Sequence, residues 1–129
     1  MQMDLLNDAL VALRHADRDG KPHVEIAPTS KLIAEVLRIF REHHFIEEFT
    51  FVPTGHGGKY DVSLGRRINY CGVIKPRISV AFDGLERFES RFLPAQDFGI
   101  LVLSTNRGVL SHQQARELKI GGRLLAYVY

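Results

Sequence analysis

Ser104, Thr105, Asn106, Arg107 and Gly108 follow one another at the end of an apolar run, residues 99–103, whose length and β-branched content are those of a buried strand. Hydroxyls, an amide, a guanidinium and a glycine are thus presented from the end of a rigid element, which suits recognition of a polar partner. Short hydroxyls reach 2′-hydroxyls and base edges in the shallow minor groove of RNA, and guanidinium groups pair with phosphates. Three more cations belong to the same half of the chain: Arg123 directly after Gly121 and Gly122, and Lys75 and Arg77 on an earlier predicted strand. The glycines at 108, 121 and 122 add close backbone approach, since no Cβ holds a ligand away. The competing reading is that a turn of Ser, Thr, Asn and Gly only satisfies its own backbone. The cations around it favour a polyanion, and RNA fits better than DNA because no basic recognition helix is present.

Other candidate groupings lack the partners their chemistry needs. The single cysteine, Cys71, has Tyr70 and Gly72 beside it and no base to activate it, so it reads as a small buried residue. His43 and His44 are adjacent and leave a helix on different faces, with no cysteine or i+4 histidine to complete a zinc set. The loop Gly55, His56, Gly57, Gly58 lacks the Lys-Ser/Thr that follows in a nucleotide-binding loop and reads as a hairpin turn. Asp97, Ser104 and His112 include the side-chain types of a hydrolase triad, but Ser104 lacks the Gly-x-Ser-x-Gly surround that exposes a nucleophile. The expectation is no enzyme, no metal, no cofactor and no small-molecule substrate.

Charge separates the two halves of the chain. Residues 1–64 carry seven Lys+Arg against ten Asp+Glu, a net of −3, and residues 65–129 carry ten against five, a net of +5. The basic half is the one that holds the polar turn, which again points to a polyanion. At 129 residues the chain is expected to form two small lobes sharing an interface, because a ~60-residue unit buries too little surface alone. No stretch approaches the ~18 apolar residues of a membrane span. Acidic residues in MQMDLLNDAL stand where a signal peptide carries a basic region, and with one cysteine they predict a cytoplasmic protein.

The elements that must position the turn follow from periodicity. Asp4 caps a helix whose apolar residues Leu5, Leu6, Ala9, Leu10, Leu13 and Ala16 share a face, ending near Asp19 and Gly20. A strand over 23–27 follows, and Pro28, Thr29 and Ser30 open a second helix that buries Leu32, Ile33, Val36, Leu37 and Phe40. Strands are expected over 45–52 and 59–64, with Tyr60, Val62 and Leu64 alternating against Asp61 and Ser63. Gly65, Arg66 and Arg67 read as the junction. Beyond it come a strand over 73–82, an edge or a bulge because of Pro76, and a short helix over 84–93 ended by Pro94. After the turn, Ser111 and Gln114 form a capping box for a helix that Gly121 and Gly122 stop, and a strand over 124–129 closes the chain. The fold predicted is α+β in two packed lobes: an α-β-α-β-β lobe of residues 1–65 and a β-rich lobe with short helices, residues 66–129.

The runs VLSTNRGVL at 102–110 and LLAYVY at 124–129, with Glu117, Lys119, Gly121 and Gly122 between them, resemble small-subunit ribosomal protein number eight. SKLI at 30–33, NYCGVIKPR at 69–77 and LPAQDFG at 93–99 resemble its archaeal and eukaryotic branch, so the match runs in order along essentially the whole chain. The resemblance implies a non-enzymatic primary rRNA-binding protein that docks on the central domain of small-subunit rRNA, aids its folding during assembly and touches neighbouring ribosomal proteins. The family's Ser-Thr turn maps onto Ser104, Thr105 and Asn106, completed by Gly108, and its Gly-Gly-x strand entry onto Gly121, Gly122 and Arg123. Bacterial members commonly carry glutamate at the last position, so Arg123 reverses the sign and favours a phosphate. Ser30 and Lys31 match a secondary rRNA contact, at a helix N-terminus that is an anion site on physical grounds too. The alternative from another class is a non-ribosomal protein-interaction module that sets the basic lobe on an acidic partner.

Overall fold

The computed structural model describes residues 4–129; residues 1–3, the start of the acidic N-terminal segment read above, lie outside the described residues. Among the described residues the fold is mixed α+β, with four α-helices and two sheets. Two compact units divide the chain, one running to Cys71 and the other Gly72–Tyr129.

In the first unit, α1 (Leu5–Arg18) starts where the Asp4 carboxylate accepts the Asn7 N–H at 3.0 Å, and it buries Leu6, Ala9, Leu10, Leu13 and Ala16 along one stripe. β1 (His23–Ile26) leads to α2 (Lys31–Glu42), capped by Ser30 Oγ, which accepts from the Ile33 N–H at 3.1 Å. The buried face of α2 is Ile33, Val36, Leu37, Ile39 and Phe40, whereas Leu32 is only half-buried. The strand expected from residue 45 begins at Glu48 as β2 (Glu48–Val52). His44 takes φ +67 and the Phe45 N–H bonds back to the Phe40 carbonyl at 2.9 Å, so the chain is still closing α2 at those residues. β3 (Lys59–Ser63) is central in the antiparallel order β1-β3-β2, with Tyr60 and Val62 buried as alternation requires. Asp17 is 3% exposed, and its two carboxylate oxygens accept the N–H groups of Arg66 at 2.8 Å and Ile68 at 2.9 Å. Those bonds hold residues 65–68 against α1.

The second sheet has the order β4-β8-β6-β7, with β5 also paired to β8. Its strands are β4 (Cys71–Val73), β5 (Ser79–Val80), β6 (Ile100–Thr105), β7 (Gly108–Ser111) and β8 (Gly122–Val128), with α3 (Leu85–Phe92) before β6 and α4 (His112–Leu118) after β7. The strand expected over 73–82 is broken in two, because Pro76 has no N–H to give a ladder, and a short 3-10 turn, Phe82–Gly84, takes its end. Lys75 and Arg77 therefore lie in the connection between β4 and β5 rather than on a strand. β7, absent from the sequence reading, fills the gap between the turn and the Ser111 capping box. That box is formed as expected, but α4 is stopped by Lys119 at φ +57, with the Ile120 N–H on the Ala115 carbonyl at 3.0 Å, and not by Gly121 and Gly122.

Two features fix how β6 sits. The β6–β8 register steps from Val102↔Ala126 to Leu103↔Leu124, leaving Leu125 outside the pairing, and its carbonyl instead accepts the Ile74 N–H at 2.9 Å. His112, 1% exposed, takes the Leu101 N–H on Nδ1 at 3.0 Å, so α4 is bonded to the middle of β6. Its Nε2 lies 3.7 Å from Glu89 of α3, which also binds Arg116. Leu101, Leu103 and Leu124 pack with Val80, Leu85 and Phe88 into the core of this unit.

Candidate nucleic-acid interface

The polar turn is a tight hairpin. Thr105 of β6 faces Gly108 of β7, and only Asn106 and Arg107 lie between them. Gly108 has φ +99, a conformation that favours glycine, and the space where its Cβ would stand is open. Thr105 Oγ1 donates to the Gly108 carbonyl at 2.8 Å and accepts the Arg107 N–H at 3.0 Å, so this hydroxyl closes the turn from inside. Ser104, Asn106, Arg107 and Gly108 are exposed, and Thr105 is half-buried. Ser104 makes no side-chain hydrogen bond among the described residues.

Cross-strand register brings Arg123 to this turn. Arg123 of β8 stands opposite Ser104 of β6, although 18 residues of chain lie between them. Directly paired residues on antiparallel strands put their side chains on the same face. The neighbours of the pair, Leu103 and Leu124, are buried in the core, so Ser104 and Arg123 point the other way, to solvent. Gly121 and Gly122 have a reason within the sheet: a Cβ on Gly121 would meet the Val80 carbonyl oxygen, and one on Gly122 the Ser104 carbonyl oxygen. They let β8 lie tightly between β5 and β6.

Arg77 and Lys75 are exposed on the connection that enters β5, which itself pairs with β8. Ser30 and Lys31 lie in the first unit, where the Ser30 hydroxyl is occupied in capping α2 and Lys31 is exposed on its first turn. A cleft lined by Glu86, Glu89, Ser90, Pro94, Ala95 and Gln96 includes none of these residues and carries two carboxylates, the wrong sign for a polyanion.

Several cations of the first unit are paired within it. Arg38 pairs with Glu35 at 2.8 Å and Glu42 at 2.9 Å, Arg41 with Glu48 at 2.9 Å, and Lys59 with Glu25 at 2.6 Å. Hydrogen bonding to Glu35 raises the Arg38 guanidinium above its ordinary value, and the Arg41 hydrogen bond holds the Glu48 carboxyl below its own. Arg77, Arg107 and Arg123 instead make no ion pair with a carboxylate among the described residues. Three exposed guanidinium groups of the second unit are thus available to phosphates. Among the described residues, no group of three or more His, Cys, Asp and Glu could hold a metal ion.

Residues 4–129 match the family model described as Ribosomal protein S8. The chain belongs to the ribosomal protein S8 family. It is 49% identical to the small ribosomal subunit protein uS8 of Picrophilus torridus, 46% to that of Thermoplasma volcanium and 45% to that of Archaeoglobus fulgidus, over 129 residues and the full length of both chains in each case. These archaeal relatives agree with the branch that the motifs at 30–33, 69–77 and 93–99 resemble. Within this S8 chain, the sequence shows the polar turn and the Gly-Gly-Arg strand entry, but neither β7, which makes the turn a hairpin, nor Ser79, which β5 sets opposite Arg123. A lone serine in an apolar run gives no signal until the register is known.

Proposed function

We propose that this chain is a structural, non-enzymatic constituent of the small ribosomal subunit that binds the central domain of small-subunit rRNA through the face bearing the β6–β7 hairpin, and that it aids the folding of that domain and contacts neighbouring ribosomal proteins. The observation that carries the reading is the pairing of exposed Ser104 with exposed Arg123, neither engaged by another described side chain. A hydroxyl beside a guanidinium can address a ribose 2′-hydroxyl and its phosphate together. Asn106 at the hairpin tip adds an amide for base edges, and Thr105 holds the tip in shape. Arg107, Arg123, Arg77 and Lys75 supply the salt-dependent part of affinity, while the hairpin supplies discrimination. Gly108, Gly121 and Gly122 serve this surface by shaping the turn and drawing its strands close. Lys31, on the first turn of α2 after Ser30, provides a secondary phosphate contact.

Filter binding at physiological salt tests the reading, comparing central-domain rRNA with an unrelated duplex RNA of equal length. Tighter binding to the central domain is expected. Equal affinity for both would leave only generic attraction to polyanions and overturn the proposal.

A further inference from the structure

Ser79 occupies the place on β5 that Ser104 occupies on β6. It is the direct cross-strand partner of Arg123, so one arginine has a serine opposite it on each side. The three residues are exposed, and their chain neighbours Val80, Leu124 and Leu103 are buried in the core, which fixes the three side chains on the outer face. Neighbouring strands lie about 4.8 Å apart, so the row from Ser79 through Arg123 to Ser104 spans about 10 Å, enough to meet more than one backbone group of a nucleic-acid strand. Among the described residues no side-chain hydrogen bond or ion pair accounts for Ser79. Its hydroxyl makes no hydrogen bond among the described residues, and the 3-10 turn that follows is capped at Ala81 without a side-chain bond. Arg77, two residues earlier, adds an exposed cation in the connection that enters β5.

We infer that Ser79 is an RNA-binding residue that, with Arg123 and Ser104, grips a single stretch of RNA backbone, the phosphate on Arg123 and the hydroxyls of the two serines on the ribose or phosphate oxygens to either side. The inference rests on the rRNA-binding reading above. It extends the recognition surface from the hairpin across β8 to β5, and it makes Arg123 the centre of the row rather than its edge.

The test measures binding to central-domain rRNA and to an unrelated duplex across a salt series for wild type, Ser79→Ala, Ser79→Thr, Arg123→Ala and the Ser79→Ala/Arg123→Ala double variant. Ser79→Ala is expected to weaken central-domain binding roughly two- to tenfold, the effect of one hydrogen bond, with an unchanged salt slope. Ser79→Thr, which keeps the hydroxyl, is expected to bind like wild type. Arg123→Ala is expected to make the salt slope less negative by roughly 0.7–0.9. Loss in the double variant should be smaller than the product of the single losses, because the two residues grip adjacent groups of one stretch of backbone. Unchanged urea midpoints would show that the losses belong to binding. If wild type discriminates between the RNAs and Ser79→Ala binds as wild type does, the role of Ser79 is overturned and the rRNA reading stands. If wild type does not discriminate, both are overturned.

Discussion

Thr105 donates its hydroxyl proton to the Gly108 carbonyl at 2.8 Å, across a hairpin whose tip is Asn106 and Arg107. The same oxygen accepts the Arg107 N–H at 3.0 Å. Adjacent hydroxyls in one motif therefore have different duties: Thr105 shapes the turn and Ser104 faces outward. Thr105→Val keeps the volume and removes both bonds. It is expected to lower stability by about 1 kcal/mol, since the freed groups lie at an exposed tip where water replaces the partner. Weaker rRNA binding should accompany it, and Thr105→Ser should restore both. Ser104→Ala should weaken binding by a similar amount while leaving the urea midpoint where it is. Urea denaturation and filter binding on the same three variants separate shaping from reading.

What the sequence discloses here is local chemistry, and what it conceals is register. Asp4, Ser30 and the Ser111–Gln114 box each cap the helix that their spacing predicts, because a cap is settled within three residues. Alternation in β3 is equally local. The break at Pro76 turns on where a missing N–H falls in a ladder, and the end of α4 on a lysine taking the left-handed conformation ahead of two available glycines. The bulge at Leu125 depends on pairing with β6 and β4 together. The central relationship of the site, Ser104 with Arg123 and Arg123 with Ser79, is of this second kind. The residue types indicated RNA, and the sheet decides which of them stand side by side.

Asp17 gives the clearest stability prediction. Its carboxylate is buried and receives two backbone N–H groups, those of Arg66 and Ile68. Asp17→Ala leaves both donors without their charged acceptor, and hydrogen bonds to charged groups contribute about 1.5–3 kcal/mol each. A loss of at least about 3 kcal/mol in urea unfolding is expected, with faster amide exchange at Arg66 and Ile68 than elsewhere in the first unit. Asp17→Asn keeps one acceptor oxygen and should fall between the two. A change below about 1 kcal/mol for Asp17→Ala would show that these bonds do not hold the segment.

Cys71 sets a dependence on alkaline pH. Its thiol is buried, with Sγ donating to the Leu10 carbonyl at 3.4 Å, and burial pushes its pKa up to about 12. In the unfolded chain the thiol ionises near 8.5. Between those values the unfolded state releases a proton that the native state keeps, so stability falls as pH rises through that window and is unaffected below about pH 8. The stability difference between wild type and Cys71→Ala, measured by urea unfolding, should therefore shrink from pH 7 to pH 10. A difference that is constant over that range would mean that the native thiol ionises as readily as the unfolded one.

Arg107 tests whether the hairpin carries a phosphate contact as well as shape. Its guanidinium is exposed at the tip and makes no ion pair with a described carboxylate, so its removal breaks nothing in the fold. Its backbone N–H, which Thr105 holds, survives substitution. Arg107→Ala should leave the urea midpoint unchanged, weaken binding to central-domain rRNA and to unrelated duplex alike, and make the salt slope less negative by roughly 0.7–0.9 if one phosphate is released. Arg107→Lys keeps a point charge and should recover most of the slope, though not the geometry of a two-pronged contact. Loss confined to central-domain rRNA with an unchanged slope would instead make Arg107 a reader of bases, and the electrostatic share would then fall to Arg123, Arg77 and Lys75.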